Sequence, residues 1–326
     1  MRNITVFAVL VIILFHAPSV QAQDEKKSIF NSYAFTVAPQ FGLFYGQSEE
    51  IVYSANSKGN YLSQLLWDIK PVAYYGITLD FSRIEPMNRI GFFSTLSLKN
   101  AIPGESGIME DRDWLSKEND ALTHFSSHPI KTELFLWLDV AAGISIPIQS
   151  LSLLKVYLKV PYMRFNFSGR DGHGIYARTK PDGTYYPIDD DPRLENFSGN
   201  VINYTQEWLI FAPGFSFGVR FPKVFAFDLS FQISPFILCA DLDEHLTTNT
   251  QYRDYMRGGL FLEMGAMFSF TFNNRMSLSL DCSWNYVCKT RGETYTSENN
   301  DRFVRGGEAG AGMMILDTGL LFKIRL

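Results

Sequence analysis

Cysteine is scarce: Cys239, Cys282 and Cys288 are the three in 326 residues, too few for a dense disulfide framework. A surplus of positive charge is absent too. With 29 Lys and Arg against 34 Asp and Glu, the formal net charge of -5 excludes nucleic-acid binding through a basic surface. Past residue 22 no apolar run is long enough for a helix to cross a bilayer. With 24 Gly and 14 Pro the chain is neither collagen-like nor a linker, and 46% apolar residues exclude a disordered chain. Aromatic residues are what it has in quantity. Its 28 Phe and 16 Tyr suit pleated surfaces better than helices.

Arg2, the apolar stretch Ile4 to Phe15 and the small residues of Val20-Gln21-Ala22 read as a secretory signal cut after Ala22. The stretch is shorter than the roughly 20 residues of a spanning helix. No Cys follows the cut, so lipoprotein processing is not expected. Residues 1–22 are thus expected to be a signal peptide and residues 23–326 one exported domain, without internal repeat or linker.

The exported part alternates with a period of two, the strand signature. Tyr33, Phe35, Val37, Phe41, Leu43 and Tyr45 are apolar at odd positions, with small or polar residues between them. The pattern returns over Phe225–Ile237 and Leu278–Tyr286. These runs exceed the ~5–6 residues of ordinary sandwich strands. Short turns are expected at Arg83–Asn88, Ser145–Ser152, Pro222-Lys223 and Asn273–Arg275. Long polar segments fall between them at Gly46–Asn60, Asn100–Ile130, Gly169–Asn203, Asp241–Arg257 and Lys289–Glu308. Alternation of short and long links predicts an all-β protein, a ten-stranded antiparallel transmembrane β-barrel of the bacterial outer membrane. Strand plus loop averages about thirty residues, so the barrel should extend above the membrane.

Five segments carry a family resemblance. Gly46-Gln47-Ser48-Glu49-Glu50-Ile51-Val52-Tyr53 with Leu62–Trp67 looks like the first hairpin of the omptins, ten-stranded outer-membrane endopeptidases. Met109-Glu110-Asp111-Arg112-Asp113-Trp114 is similar to their Asp-x-Asp-Trp loop, and Ser126-Ser127-His128-Pro129 to their Ser-x-His-Pro. Asp241-Leu242-Asp243-Glu244-His245 resembles their Asp-x-Asp-Glu-His, and Trp284-Asn285 their Trp-Asn pair.

The chemistry of these residues points the same way. Residues two apart on a strand face one side, which pairs Asp111 with Asp113 and Asp243 with His245. Adjacent carboxylates resist joint ionisation, and an Asp beside a His orients the ring for general-base work. The resemblance implies that His245 and Asp111 hold a water, Asp243 orients His245, and Asp113 assists at the oxyanion. It implies neither metal nor covalent intermediate. Glu50 and Asp241 fall where omptins grip the basic residue before the cut; His124 replaces the acid that reads the residue after it. Expected partners are polypeptides with basic residues and outer-membrane lipid, for a monomer whose active mouth faces outward. Serine chemistry at Ser126 and His128 is the less favoured route, those two instead supporting the acidic loop.

Arg164 matches one arginine of the family's lipopolysaccharide site, but Glu207 stands where a second is expected, so a lipopolysaccharide requirement is doubtful and no other cofactor is implied. Asp241, Asp243 and His245 share the odd parity of lipid-facing positions in their strand. An irregularity near Cys239-Ala240 is therefore expected, to turn them inward. The cysteines are assigned no chemistry. A non-catalytic adhesin or receptor barrel is the main alternative, and a small porin the next.

Overall fold

The computed structural model describes residues 33–53, 61–83, 90–116, 121–149, 151–221, 224–299 and 301–326. The expected signal peptide, the turn at Pro222-Lys223 and all of the turn after Arg83 up to Asn88 lie outside the described residues.

The first two walls are β1 (Tyr33–Tyr53) and β2 (Tyr61–Arg83). The third is β3 (Gly91–Ala101) continued by β4 (Gly104–Asp113); β5 (His124–Gln149) and β6 (Ser152–Arg170) are the fourth and fifth. A small hairpin, β7 (His173–Tyr176) and β8 (Arg193–Asn196), decorates the next connection. The sixth and seventh walls are β9 (Asn200–Ile210) with β10 (Ala212–Arg220) and β11 (Phe225–Ser234) with β12 (Ile237–His245). The last three are β13 (Thr250–Arg257) with β14 (Leu260–Thr271), β15 (Met276–Cys288) with β16 (Arg291–Glu298), and β17 (Val304–Arg325). All named pairings are antiparallel. β1 pairs with β2 on one side and with β17 on the other, from Thr36↔Arg325 to Tyr53↔Glu308, so the ring of ten walls closes. Closure leaves the ring of ten walls no edge strand, as lipid demands.

Of the segments expected to be long polar loops, Gly169–Asn203 is largely irregular, while the others hold long stretches of strand. β1 runs to Tyr53, and the stretch from Asp241 to Arg257 is a tight hairpin of β12 and β13. Polar composition misled there because these hairpins stand in water and need no lipid-facing side. The turn placed at Ser145–Ser152 is also narrower, since β5 stays paired to β6 as far as Gln149↔Ser152. With 26 residues β5 is more than twice the roughly 9–11 residues a strand needs to cross a bilayer. The lower part carries the lipid face: Phe41, Leu43, Tyr45, Tyr75, Leu229, Phe268 and Leu280 point outward and are exposed.

The bore is filled. Phe44 stacks on Phe135 at 4.0 Å and on Tyr74 at 4.4 Å, and Trp67 lies parallel to Tyr204 at 5.0 Å. The Ser48 hydroxyl of β1 donates to Gln206 Oε1 of β9 at 2.6 Å, joining opposite walls directly. Offset ring pairs add about 0.5–1.5 kcal/mol each beyond the area they bury. This plug removes the path a small porin would need and makes a floor for the outer mouth.

Walls seven to nine slip in register at one level, which decides what faces the mouth. In β11 the odd positions face out as far as Ile233; beyond Pro235-Phe236 the even ones do, with Phe236 and Leu238 exposed and Cys239, Asp241 and Asp243 buried. The expected irregularity exists, but it lies at Pro235-Phe236, before Cys239-Ala240, and Cys239 faces inward. Pro235 cannot donate to the ladder. The Ser234 hydroxyl fills the gap, donating to the Phe211 carbonyl at 2.6 Å and accepting from the Phe236 N–H at 2.9 Å. In the eighth wall the same slip occurs at Gly258-Gly259, with φ of 77° and 102°. Glycine is the residue that adopts such angles without strain.

Candidate active site

β4 presents Asp111 and Asp113 on one face, paired with Leu65 and Ser63 of β2. Both are partly open to the mouth and otherwise ringed by protein. The Ser63 hydroxyl donates to Asp111 Oδ1 at 3.2 Å. Across the bore β12 presents Asp243, buried, and His245, partly exposed. His245 Nε2 lies 2.7 Å from Asp243 Oδ2. A carboxylate can only accept, so Nε2–H donates and Nδ1 is left to take a proton.

The two pairs sense each other, so the four groups form one electrostatic cluster. Burial, then the charge of Asp113, pushes Asp111 up to about 8, with His245 opposing. Burial likewise raises Asp113, against Ser63 and His245. For His245 burial favours the neutral ring, but Asp243, then Asp111 and Asp113, overcome it and lift the ring to about 9. Near neutrality the mouth therefore holds more protons than four isolated groups would.

Glu50 and Asp241 also come together, and with a third acid that the sequence reading missed. Glu50 on β1, Asp241 on β12 and Asp254 on β13 each bring a carboxylate oxygen within 4.8 Å of the others. Their exposures are 1%, 5% and 0%. Tyr204 donates to Asp241 Oδ2 at 3.1 Å; Glu50 Oε2, Asp241 Oδ1 and both oxygens of Asp254 have no hydrogen-bond partner among the described residues. Only the pairing of β12 with β13 could have revealed Asp254, by setting Asp241 opposite it.

Ser126 and His128 sit behind the acidic strand, opposite Asp111 and Met109. His128 Nδ1 donates to the Asp171 carbonyl at 2.5 Å, and its Nε2 faces the Ser126 hydroxyl at 3.1 Å. Both side chains are buried and engaged, which ties β5, the strand paired with β4, to the β6–β7 connection. His124, opposite Asp113, packs its ring 5.2 Å from Tyr176 and 5.0 Å from Tyr185. On the outer wall Arg164 is paired with Glu207 at 3.2 Å and donates to Asn166 at 3.3 Å. The three cysteines are free thiols.

A closed antiparallel barrel with a plugged bore, an apolar outer band and an acid-lined mouth defines the class: an outer-membrane barrel with a polar site at one end. Residues 31–324 match the model of the Omptin family, and the chain belongs to that family. It is 25% identical over 286 residues to the plasminogen activator of Yersinia pestis, covering 85% of this chain and 84% of that protein. It is 24% identical over 280 residues to protease 7 of Escherichia coli O157:H7, covering 83% of each. The crystal structure of outer membrane protease OmpT from Escherichia coli shares the fold, with a TM-score of 0.77 at 19% identity, over 94% of this chain and 99% of that one.

Proposed function

We propose that this protein is an outer-membrane endopeptidase that cuts polypeptides after a basic residue, using a water held between His245 and Asp111. The observation that carries the reading is the Asp243–His245 hydrogen bond facing the Asp111–Asp113 pair in one electrostatic site. The relatives' names, plasminogen activator and protease 7, agree with it. In the first step the water oxygen bonds to the scissile carbonyl carbon while its proton passes to His245 Nδ1. Asp243 steadies the imidazolium, and a protonated carboxyl of the acidic pair donates to the oxyanion. His245 then returns the proton to the leaving amine as the C–N bond breaks. Glu50 and Asp241 hold the basic side chain before the cut. His124, packed against Tyr176 and Tyr185, gives the residue after the cut a neutral aromatic setting, so a second basic residue is not required.

The chain is read as exported after loss of residues 1–22 and as acting as a monomer, its mouth outward, because long hairpins of outer-membrane barrels face the exterior. No metal or cofactor enters the scheme. The test is cleavage of quenched fluorescent peptides carrying one Lys or Arg, by protein refolded in detergent, with products mapped by mass spectrometry. Cuts only after the basic residue are expected, unaffected by chelator. Because His245 must be neutral to accept a proton and sits near 9, kcat/KM should rise as pH increases from about pH 6 toward 8, and level off or fall above that as the acidic pair loses the proton it donates. A flat profile over that range removes His245 as the base. A folded protein that binds such peptides and cuts none of them is the adhesin or receptor alternative.

Lipopolysaccharide is expected to matter little. Glu207 and Asn166 already occupy the Arg164 guanidinium, and a phosphate would have to displace an acid. Adding lipopolysaccharide to the refolded protein should change kcat/KM by less than about twofold, and Glu207→Arg should create a dependence on it. A tenfold activation of the unaltered protein would refute this.

A further inference from the structure

Asp241 and Asp254 are directly opposed across the β12–β13 ladder, an arrangement that like charges disfavour. Glu50 completes a triangle with them from the far wall. Among the described residues no Lys or Arg forms an ion pair with any of the three. Three carboxylates this buried, with oxygens unpartnered, are an unfavourable arrangement unless protons or a cation neutralise it. Asp254 is the decisive member: it is fully buried, it aims at the other two acids, and among the described residues neither oxygen has a partner at hydrogen-bond distance, the Thr294 hydroxyl opposite it being the one nearby donor that eases its charge.

We propose that Asp254 is a third specificity-determining residue, which makes the pocket a three-oxygen cage for a primary ammonium and selects Lys over Arg before the cut. The assignment rests on the endopeptidase reading above. An ammonium has three diverging N–H donors; acceptors about 2.8 Å from its nitrogen at tetrahedral angles lie about 4.6 Å apart. The three oxygens, all within 4.8 Å of one another, are close enough for one nitrogen to reach all three. A guanidinium keeps its five donors in one plane and matches two carboxylates side by side better than three around a point. Burial, ahead of any charge, raises all three carboxyls, Asp254 to about 7, so the empty cage holds protons that an incoming ammonium replaces.

The test uses two peptides identical except for Lys or Arg, with the wild type, Asp254→Asn and Asp254→Ser, each shown folded by heat-modifiable gel mobility. The wild type is expected to favour Lys by about tenfold in kcat/KM, and both variants to bring the ratio to about one by losing activity on the Lys peptide. Equal cleavage of the two peptides by the wild type, or a Lys preference that survives in both variants, overturns the proposal. Cleavage of neither peptide counts against the endopeptidase reading instead. The cage is then decided by calorimetry with acetyl-lysine amide and acetyl-arginine amide. Tighter binding of the lysine amide, lost in Asp254→Asn, upholds it. Equal or absent binding overturns it, as does calcium binding at the three acids without either amide.

Discussion

His245→Ala and Asp111→Asn should each lower kcat/KM by roughly 10²- to 10⁴-fold while leaving the barrel folded. The size follows from what is removed. Without His245 the attacking water keeps its proton, and Asp243, now buried without its cationic partner, has nothing to orient. Without the Asp111 charge the water loses one of its two anchors, and His245 loses part of the field that holds it near 9. The variants should therefore differ in pH dependence. Asp111→Asn should retain residual activity whose rise begins at lower pH than in the wild type, whereas His245→Ala should have no such limb. The measurement is kcat/KM for one Lys peptide between about pH 5 and 10. Full activity in either variant would show that the chemistry lies elsewhere, and Ser126 with His128 would be the next place to look.

The second large effect is expected from neutralising the pocket. Glu50→Gln combined with Asp241→Asn should lower kcat/KM for basic peptides by about 10²- to 10³-fold, because buried charge pairs lose roughly 2–5 kcal/mol when one side is removed. A peptide with Gln before the cut should be little affected. Stability should move the opposite way. Burial raises the carboxyls of Glu50, Asp241 and Asp254, and the charges of neighbouring acids, Asp243 among them, add to it. Groups with a raised folded-state pKa make stability fall as pH rises from the unfolded value, near 3.8 for Asp254, through the folded one near 7. The double variant should thus resist heat better than the wild type at about pH 8, and the difference should shrink toward about pH 4. Equal thermal midpoints at both pH values, or unchanged selectivity, would show that the acids do not act as one buried cluster.

Opposite effects of this kind would couple activity and stability at the point where β12 and β13 meet β1 through the bore.

The class of fold was legible because a membrane barrel imposes a strict pattern. Aromatic residues at alternate positions from Tyr33 to Tyr45 face lipid, and the short turn at Asn273–Arg275 joins two walls as expected. The quartet Asp111, Asp113, Asp243 and His245 was legible as two strand-spaced pairs and as motifs in register with a family. Sequence alone thus determined the architecture, the pairing within each strand and the side-chain types available at the mouth, since these depend on local period and composition.

Only the tertiary structure decided which groups meet. The slip at Pro235-Phe236 lay earlier than parity suggested, because the sequence does not show which side Cys239 takes until β12 is set against β9 and β13. Asp254 lay unnoticed in a polar stretch, since facing the mouth is a property of the ladder and of the Gly258-Gly259 turnover beside it. The encounter of Glu50 with Asp241 and Asp254 spans more than 190 residues of chain and needs the ring to close and the bore to fill. Long-range packing has no local signature, and it turned three separate acids into one pocket.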